Sequence, residues 1–343
     1  MESTGFVIVV GASAGGMKAF KELLAQIKGK LNAAIVIVPH LSSYNNEAFL
    51  LNQLQSVSNW PCVLVKNEIP IQRGMVYLAS PDRHLLIKDH VIVTGNGAKE
   101  NGWRPSIDVL FRSAAVNYNS RSIGIILTGL LNDGTSGMMA VKRSGGTTII
   151  LDPQEAEYPQ MPQSVLEYVE VDYKIKMNEM GAIIGKILST NPAPVTPSFD
   201  LQREAELAGQ VATRIDEVAQ LGEHTVYTCP DCGGGLWKIS EGKLNRYRCH
   251  VGHSFTEDDL EIKQAQGVEA TLWVALRMME ERRNLLLKLA DQHQRKGLER
   301  VSKANALKAA EMAAHINQLR EVLFASQNNA KTDDLPGLST MGE

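Results

Sequence analysis

The stretch Phe6-Val-Ile-Val-Val10-Gly-Ala-Ser13-Ala-Gly15-Gly16, followed by the amphipathic run Met17 to Ile27, decides the fold. Its first five residues are apolar without a polar interruption, the pattern of a strand buried on both faces. The glycines then turn the chain sharply, and apolar residues return at helical spacing. Working outward, the alternation repeats. Ala34 to Val38 is a second strand, and Glu47 to Gln55 is helix-like. Cys62 to Val65 is another strand, while Val76 to Leu78 and Val91 to Val93 are shorter ones expected to pair as a hairpin. A helix is predicted from Ser106 to Val116, then a strand from Ile123 to Leu127, a helix across Gly137 to Arg143 and a strand from Thr147 to Leu151. Helices near Gln163 to Tyr168 and Glu179 to Leu188 close the region. Apolar strands separated by helices predict an α/β domain over residues 1–190, a doubly wound, mainly parallel sheet covered on both faces.

A boundary follows. Asn191-Pro-Ala-Pro-Val-Thr-Pro197 reads as an extended spacer, and a helix is expected over 200–221, so that 191–225 is linker and helix. Residues 226–256 hold a Cys/His cluster among short strands, a zinc-ribbon-like module. The pattern is then helical twice across 257–325, with Leu272, Leu276, Met279, Leu286 and Ala290 on one face and Leu298, Val301, Met312, Ile316, Leu319 and Leu323 on another. Gly297 marks the turn of an antiparallel helical hairpin. The polar tail, 326–343, is expected to be disordered.

Hydrophobic residues make up 44% of the 343-residue chain and charged residues 21%, an ordinary globular balance. A formal charge of -3 gives no bulk attraction to nucleic acid or anionic membrane, so neither partner is expected. The basic side chains Lys238, Lys243, Arg246 and Arg248 are the residues through which a nucleic acid would otherwise be met. The N-terminus lacks the basic region and apolar run of a signal peptide, and no apolar run approaches a bilayer span. Cys229, Cys232 and Cys249 cluster near histidines while Cys62 stands apart, which points to a metal site in a reducing compartment rather than to disulfides. A cytoplasmic protein is therefore expected.

Gly11-Ala-Ser13-Ala-Gly15 satisfies G-x-S-x-G in the setting that motif requires, a strand running into a helix. Ser13 is a candidate nucleophile, and the amide of Ala14 a candidate oxyanion donor at the helix N-terminus. The alternative is a phosphate-binding turn. Against it, Ser13 occupies the place of the second glycine of G-x-G-x-x-G, and Pro39-His40 stands where an acidic residue would end the next strand. His40 follows the second strand at the same carboxyl edge and is a candidate general base, although a lone histidine is commonly structural. Asp133, in Thr128-Gly-Leu-Leu-Asn-Asp133-Gly-Thr-Ser-Gly137, is either the acid that orients His40 or a plain helix cap. Asp82 and His84 are rivals for these roles.

Cys229-Pro-Asp-Cys232 followed by glycines forms a knuckle, and Cys249 supplies a third ligand. His253 is favoured over His250 as the fourth, because Cys-x-x-x-His turns back on one metal while adjacent residues diverge. Such a set closes the coordination shell, so the zinc would be structural, with no cofactor needed for catalysis. The alternatives are a redox Cys-x-x-Cys or no metal.

The segments Gly11–Gly16, Val38-Pro-His40, Val76–His84, Arg104-Pro-Ser-Ile-Asp-Val-Leu-Phe-Arg112, Leu127-Thr-Gly129, Asn132-Asp-Gly134 and Met161-Pro162 together resemble the catalytic domain of CheB-type chemotaxis protein-glutamate methylesterases, over most of residues 5–185. The resemblance implies a Ser13, His40, Asp133 triad, hydrolysis of glutamate methyl esters on cytoplasmic chemoreceptor helices, and deamidation of glutamines. It departs from the family in three respects. Ala14 replaces a common threonine, and Leu130-Leu131 replaces a common Met-Gly, so that Leu130 would serve the oxyanion site only through its backbone. Family members also carry an N-terminal phosphorylated receiver domain, for which the sequence ahead of Phe6 leaves no room, so a receiver in the same chain is not expected to be the switch. Cysteine-histidine modules with paired helices occur behind methylesterase-like domains, and the C-terminal half resembles them. Its hairpin is expected either to pack on itself or to support self-association or docking of a partner helix. The competing reading of the whole chain is a catalytically weak regulatory protein that recruits partners through the esterase fold and the zinc module.

Overall fold

The structure is a computed structural model that describes residues 5–29, 31–40, 46–208 and 214–333. The buried strand Phe6–Ala12 (β1) lies at the heart of a seven-stranded sheet. It is followed by Gly16–Gln26 (α1), Ala33–Pro39 (β2), Glu47–Gln55 (α2), Cys62–Val65 (β3) and the two-residue strand Ile69–Pro70 (β4). Next come Val76–Ala79 (β5), His84–Lys88 (β6), Val91–Gly95 (β7), Ile107–Tyr118 (α3) and Ser122–Ile126 (β8). Thr135–Arg143 (α4), Thr147–Leu151 (β9), Gln160–Tyr168 (α5), Tyr173–Ile175 (β10) and Met180–Leu188 (α6) complete the α/β region.

The sheet order is β10-β9-β8-β1-β2-β5-β3, and every pairing is parallel. Because β1 alternates its side chains between two helical layers, Val7 and Val9 join one core and Phe6, Ile8 and Val10 the other. The chain winds outward from β1 in both directions, so the loops leaving β1, β2 and β8 open into one crevice at their carboxyl ends. The doubly wound class read from the sequence is the class observed. One pairing differs: Val76–Ala79 enters the main sheet between β2 and β3, and the hairpin partner of β7 is β6. The alternation of His84–Lys88 is masked by its apolar centre, and this is why the strand escapes a pattern search.

Beyond the spacer, the helix expected over 200–221 is instead two, Phe199–Ala208 (α7) and Ile215–Val218 (α8), with a strand already under way at Glu223. Strands Glu223–Thr228 (β11), Gly235–Glu241 (β12), Leu244–Cys249 (β13) and Ser254–Thr256 (β14) form an antiparallel sheet in that order. Two long helices end the described chain, Glu257–Arg295 (α9) and Glu299–Asp333 (α10), turning at Gly297 with φ 73°. Residues 1–260 and 261–343 form separate compact units. Within the second, Leu276, Ile316 and Leu323 are buried together, with Leu272, Met279, Met312 and Leu319 packed on them. The tail expected to be disordered from 326 is instead helical as far as Asp333, the end of α10, and its part from 334 onward lies outside the described residues. Among the described residues, no helix is long and apolar enough to cross a membrane.

A buried ion network binds the antiparallel sheet to the α/β region. Arg246 donates to both carboxylate oxygens of Glu204 at 2.6 and 2.8 Å, and Arg112 lies 3.4 Å from the same carboxylate. Arg248 and Arg112 both donate to Glu100, at 2.6 and 3.2 Å. Burial raises the Glu204 pKa, but the flanking guanidinium groups of Arg112 and Arg246 outweigh it and hold the carboxyl well below its usual range. Removing one partner strands charges that water cannot reach. Glu204→Ala is therefore expected to destabilise residues 1–260 by about 3–5 kcal/mol in urea unfolding; a loss below about 1 kcal/mol would mean the network is solvated in solution.

Candidate active site and metal cluster

The parallel register sets Ala12 opposite Pro39 and Gly11 opposite Ile126, so β1, β2 and β8 end nearly level. Ser13 and His40 are the residues that follow the first two. Backbone bonds lock this edge: the Ser13 amide donates to the Thr128 carbonyl at 2.9 Å, and the His40 amide to the Ala12 carbonyl at 3.1 Å. Gly15, at φ 74°, makes the left-handed turn that starts α1. Gly129 has to be glycine for a different reason. A Cβ there would sit 2.8 Å from the Ser13 Cβ and 2.8 Å from Met161 Cε.

Ser13 and His40 share a cleft of ≈ 360 Å³ with Met17, Lys18, Leu50 and Glu157. Behind the histidine, Nε2 meets Asp133 Oδ2 at 2.7 Å, while the buried Nδ1 has no hydrogen-bond partner among the described residues. A carboxylate facing Nε2 favours the proton on that nitrogen and leaves Nδ1 with its lone pair. The indole of Trp103 stacks on the imidazole, centroids 4.1 Å apart and planes 12° from parallel.

Asp133 does not cap its own helix, whose N-cap is Gly134. It instead accepts bonds at the N-terminus of α3: Ile107 N at 2.7 Å, Ser106 Oγ at 2.9 Å, Asp108 N at 3.3 Å, and the amide of Asn101 at 3.0 Å. Burial pushes the Asp133 carboxyl upward, but the His40 bond and charge, with the Ile107 and Asn101 donors, bring it below its ordinary value. A helix N-terminus favours the anion for the same reason. Its neighbour Asp108 takes the opposite course. Burial first, then the charge of Asp133, push it up to about 7.

The rivals have structural employment. His84 is buried between the Ala98 carbonyl, 2.9 Å from Nε2, and the Ser106 amide, 3.2 Å from Nδ1. Asp82 pairs with Arg104 at 2.6 Å. Sequence reasoning assigned no role to Asn101, Trp103, Ser106 or Asp108, although Ser106 and Asp108 lie inside the quoted Arg104–Arg112 motif. A buried acid needs nearby donors, and a serine at a helix N-cap was the available signal.

Cys229, Cys232, Cys249 and His253 bring their ligand atoms within 4.8 Å of one another, a set compatible with a metal site. Each pair stands on a closed turn. Cys229 N donates to the Gly234 carbonyl at 2.7 Å, and Cys249 N to the His253 carbonyl at 3.0 Å. A hydrogen bond from the Cys229 thiol, with a smaller contribution from His253, lowers the Cys249 pKa, and the same bond raises that of Cys229. His250 is not one of the four, although its ring lies 3.1 Å from where a Cβ on Gly234 would be, a point 3.6 Å from Cys232 Sγ. Of the basic residues considered for nucleic acid, Arg246 and Arg248 are buried against carboxylates.

Residues 8–184 match the family described as CheB methylesterase. The chain belongs to that family. A putative protein-glutamate methylesterase/protein-glutamine glutaminase of Leptospira interrogans is 37% identical over 186 residues, covering 54% of this chain and 95% of that protein. The Sulfurimonas denitrificans protein-glutamate methylesterase/protein-glutamine glutaminase is 33% identical over 192 residues, and this chain spans only 54% of its length. The crystal structure of the Thermotoga maritima CheB methylesterase catalytic domain aligns with a TM-score of 0.50 at 29% identity, covering 54% of this chain and 97% of that one. The CheB match thus contains Ser13, His40 and Asp133 and stops before the Cys/His cluster and the helical hairpin. Within the CheB region, Leu131 holds φ 64°, a conformation unfavourable for a bulky side chain, and Leu130 and Leu131 are 44% and 42% exposed.

Proposed function

We propose that this chain is a serine esterase that removes methyl groups from glutamate side chains on chemoreceptor-like signalling helices and deamidates glutamines there. The observation that carries the reading is a single one: His40 lines a cleft with Ser13 while its far nitrogen meets the buried carboxylate of Asp133 at 2.7 Å. Ser13 Oγ attacks the ester carbonyl, and His40 Nδ1 takes the hydroxyl proton as the C–O bond forms. The carbonyl oxygen becomes an anion held by the amides of Ala14 and Leu130. The Gly129 and Leu131 amides are engaged by the Tyr158 carbonyl and the Gln160 side chain, which is why Leu130 is the donor assigned in that loop. Collapse expels methanol, protonated by His40. Water, deprotonated by the same ring, then cleaves the acyl-serine to give glutamate. With glutamine the leaving group is ammonia. Asp133 holds the ring's tautomer throughout.

The relatives' names, protein-glutamate methylesterase/protein-glutamine glutaminase, support this substrate class. Within the proposal, 1–190 is the catalytic domain, 191–222 a spacer with helices, 223–256 a structural zinc module, 257–333 a hairpin available for self-association or a partner helix, and 334–343 a tail. Zinc is favoured because two ligands about 2.3 Å from the ion at tetrahedral angles lie about 3.8 Å apart, and the Cys232–Cys249 and Cys249–His253 separations are 3.7 and 3.6 Å. A reduced thiol cluster fits a cytoplasmic location.

The test is methanol release from receptor fragments carrying glutamate methyl esters, together with labelling by a fluorophosphonate. Turnover with label on Ser13 is the expected result. The Leu130-Leu131 loop favours a second reading, a binding protein with a disabled oxyanion site. No label and no methanol from several fragments would establish it in place of the first.

A further inference from the structure

We propose that the Cys/His module positions the catalytic acid and base, and that metal bound at its four ligands acts on Asp133 and His40 through the turn Glu100–Trp103. This rests on the esterase reading of the cleft and the metal reading of the cluster. The turn is closed on itself by paired backbone bonds between Glu100 and Trp103, at 3.2 and 2.9 Å. It passes through two left-handed residues, Asn101 at φ 51° and Gly102 at φ 78°. A turn of that shape needs support from outside, and both of its working side chains point at the triad. Asn101 donates 3.0 Å to Asp133, and Trp103 stacks on His40.

The support comes from residues adjacent in sequence to the metal ligands. Ser254, next to His253, accepts the Asn101 amide at 2.8 Å and bridges Glu100 in parallel fashion. Arg248, next to Cys249, donates to Glu100 at 2.6 Å in a buried pair. A second tie reaches the other side of the acid. Asn132, which immediately precedes Asp133, donates to Thr256 Oγ at 2.8 Å. Three bonds from one short hairpin thus fix the turn that carries Asn101 and the residue that precedes the acid, while the start of α3 holds the carboxylate separately. Cys249 and His253 bracket the turn of that hairpin, so a metal joining them clamps β13 and β14 where they meet. Asn101 is a positioning residue in this scheme, because it touches the acid and not the substrate.

The experiment uses the full chain, loaded with zinc or stripped by dialysis against dipicolinate. Hydrogen–deuterium exchange is followed together with the saturation kinetics of fluorophosphonate labelling. Stripping is expected to raise exchange in residues 98–105 and 128–136 as well as in 226–256. It is also expected to lower the maximal labelling rate about ten- to hundredfold, the effect of an ångström-scale misplacement, at an unchanged half-saturating probe concentration. Zinc re-addition restores both. Asn101→Gly tolerates the left-handed backbone, so it should retain stoichiometric zinc, label slowly in the same way, and respond less to stripping than the unmutated protein. Exchange changes confined to 226–256, or a chain that binds no zinc, would overturn the proposal. A zinc-dependent change at 128–136 in a chain whose Ser13 never labels would support the coupling while removing the esterase reading, so the two fail separately.

Discussion

Replacing Ser13 by alanine is expected to lower methanol release by about 10⁶-fold, the scale seen when the nucleophile of a serine hydrolase is removed, and to abolish fluorophosphonate labelling. The fold should not register the change. The hydrogen bonds that fix this residue are made by its backbone, to the Thr128 carbonyl and from the Gly16 amide, and an alanine keeps both. The Ser13 Cβ also remains to pack on Gly129. Unfolding should therefore occur at the same urea concentration, which separates lost chemistry from lost structure. A variant that retains more than about one part in a thousand of the activity exceeds what binding and an oxyanion site supply on their own. Such a result would take the nucleophile's role away from Ser13.

The parts of this arrangement that were legible in the sequence are those governed by local pattern. The strand Phe6–Ala12, the glycine turn and the helix after it are each signalled within a few residues, and the carboxyl-edge rule then brings Ser13, His40 and the 128–137 loop to one crevice. What was not legible depends on tertiary contact. Asp133 looked like a cap for the helix that follows it, yet its bonds go to the start of α3, about 25 residues earlier in the chain. No spacing rule points from Asp133 to Ile107. Trp103 is equally silent in sequence: a lone tryptophan beside a glycine gives no hint that it stacks on an imidazole from another strand end. Arg246 and Arg248 are the side chains through which a nucleic acid, not expected here, would have been met, and only the fold supplies the buried Glu204 and Glu100 that pair with them. The sequence also contains the Cys/His spacing but not the location of the hairpin that carries it, against the turn behind the triad.

Asp133→Asn should lower ester turnover by about 10⁴-fold, which is about 5.5 kcal/mol of transition-state stabilisation. The reason lies in the number of donors that converge on this carboxylate. Oδ1 receives Asn101, Ser106 and the Asp108 amide, while Oδ2 receives Ile107 N and faces His40 Nε2. An asparagine offers one acceptor oxygen where two are used. If its NH₂ takes the Oδ2 position, it confronts the Ile107 amide and donates to His40, drawing the proton to Nδ1, the nitrogen that must accept from Ser13. If the NH₂ takes the Oδ1 position, it meets donors from Asn101 and Asp108 with nothing to accept them, and the buried amides lose about 1–3 kcal/mol each. His40 then keeps its tautomer without the charge that stabilises the imidazolium. The first orientation costs catalysis through the wrong tautomer, the second through a weaker base, and each strands at least one donor at the α3 terminus, so both lower the rate and both show in the urea midpoint. A pure helix-capping role predicts otherwise: a lower midpoint with turnover within tenfold of the unmutated chain. Measuring methanol release and unfolding on the same preparation therefore decides whether Asp133 serves the histidine or merely the helix.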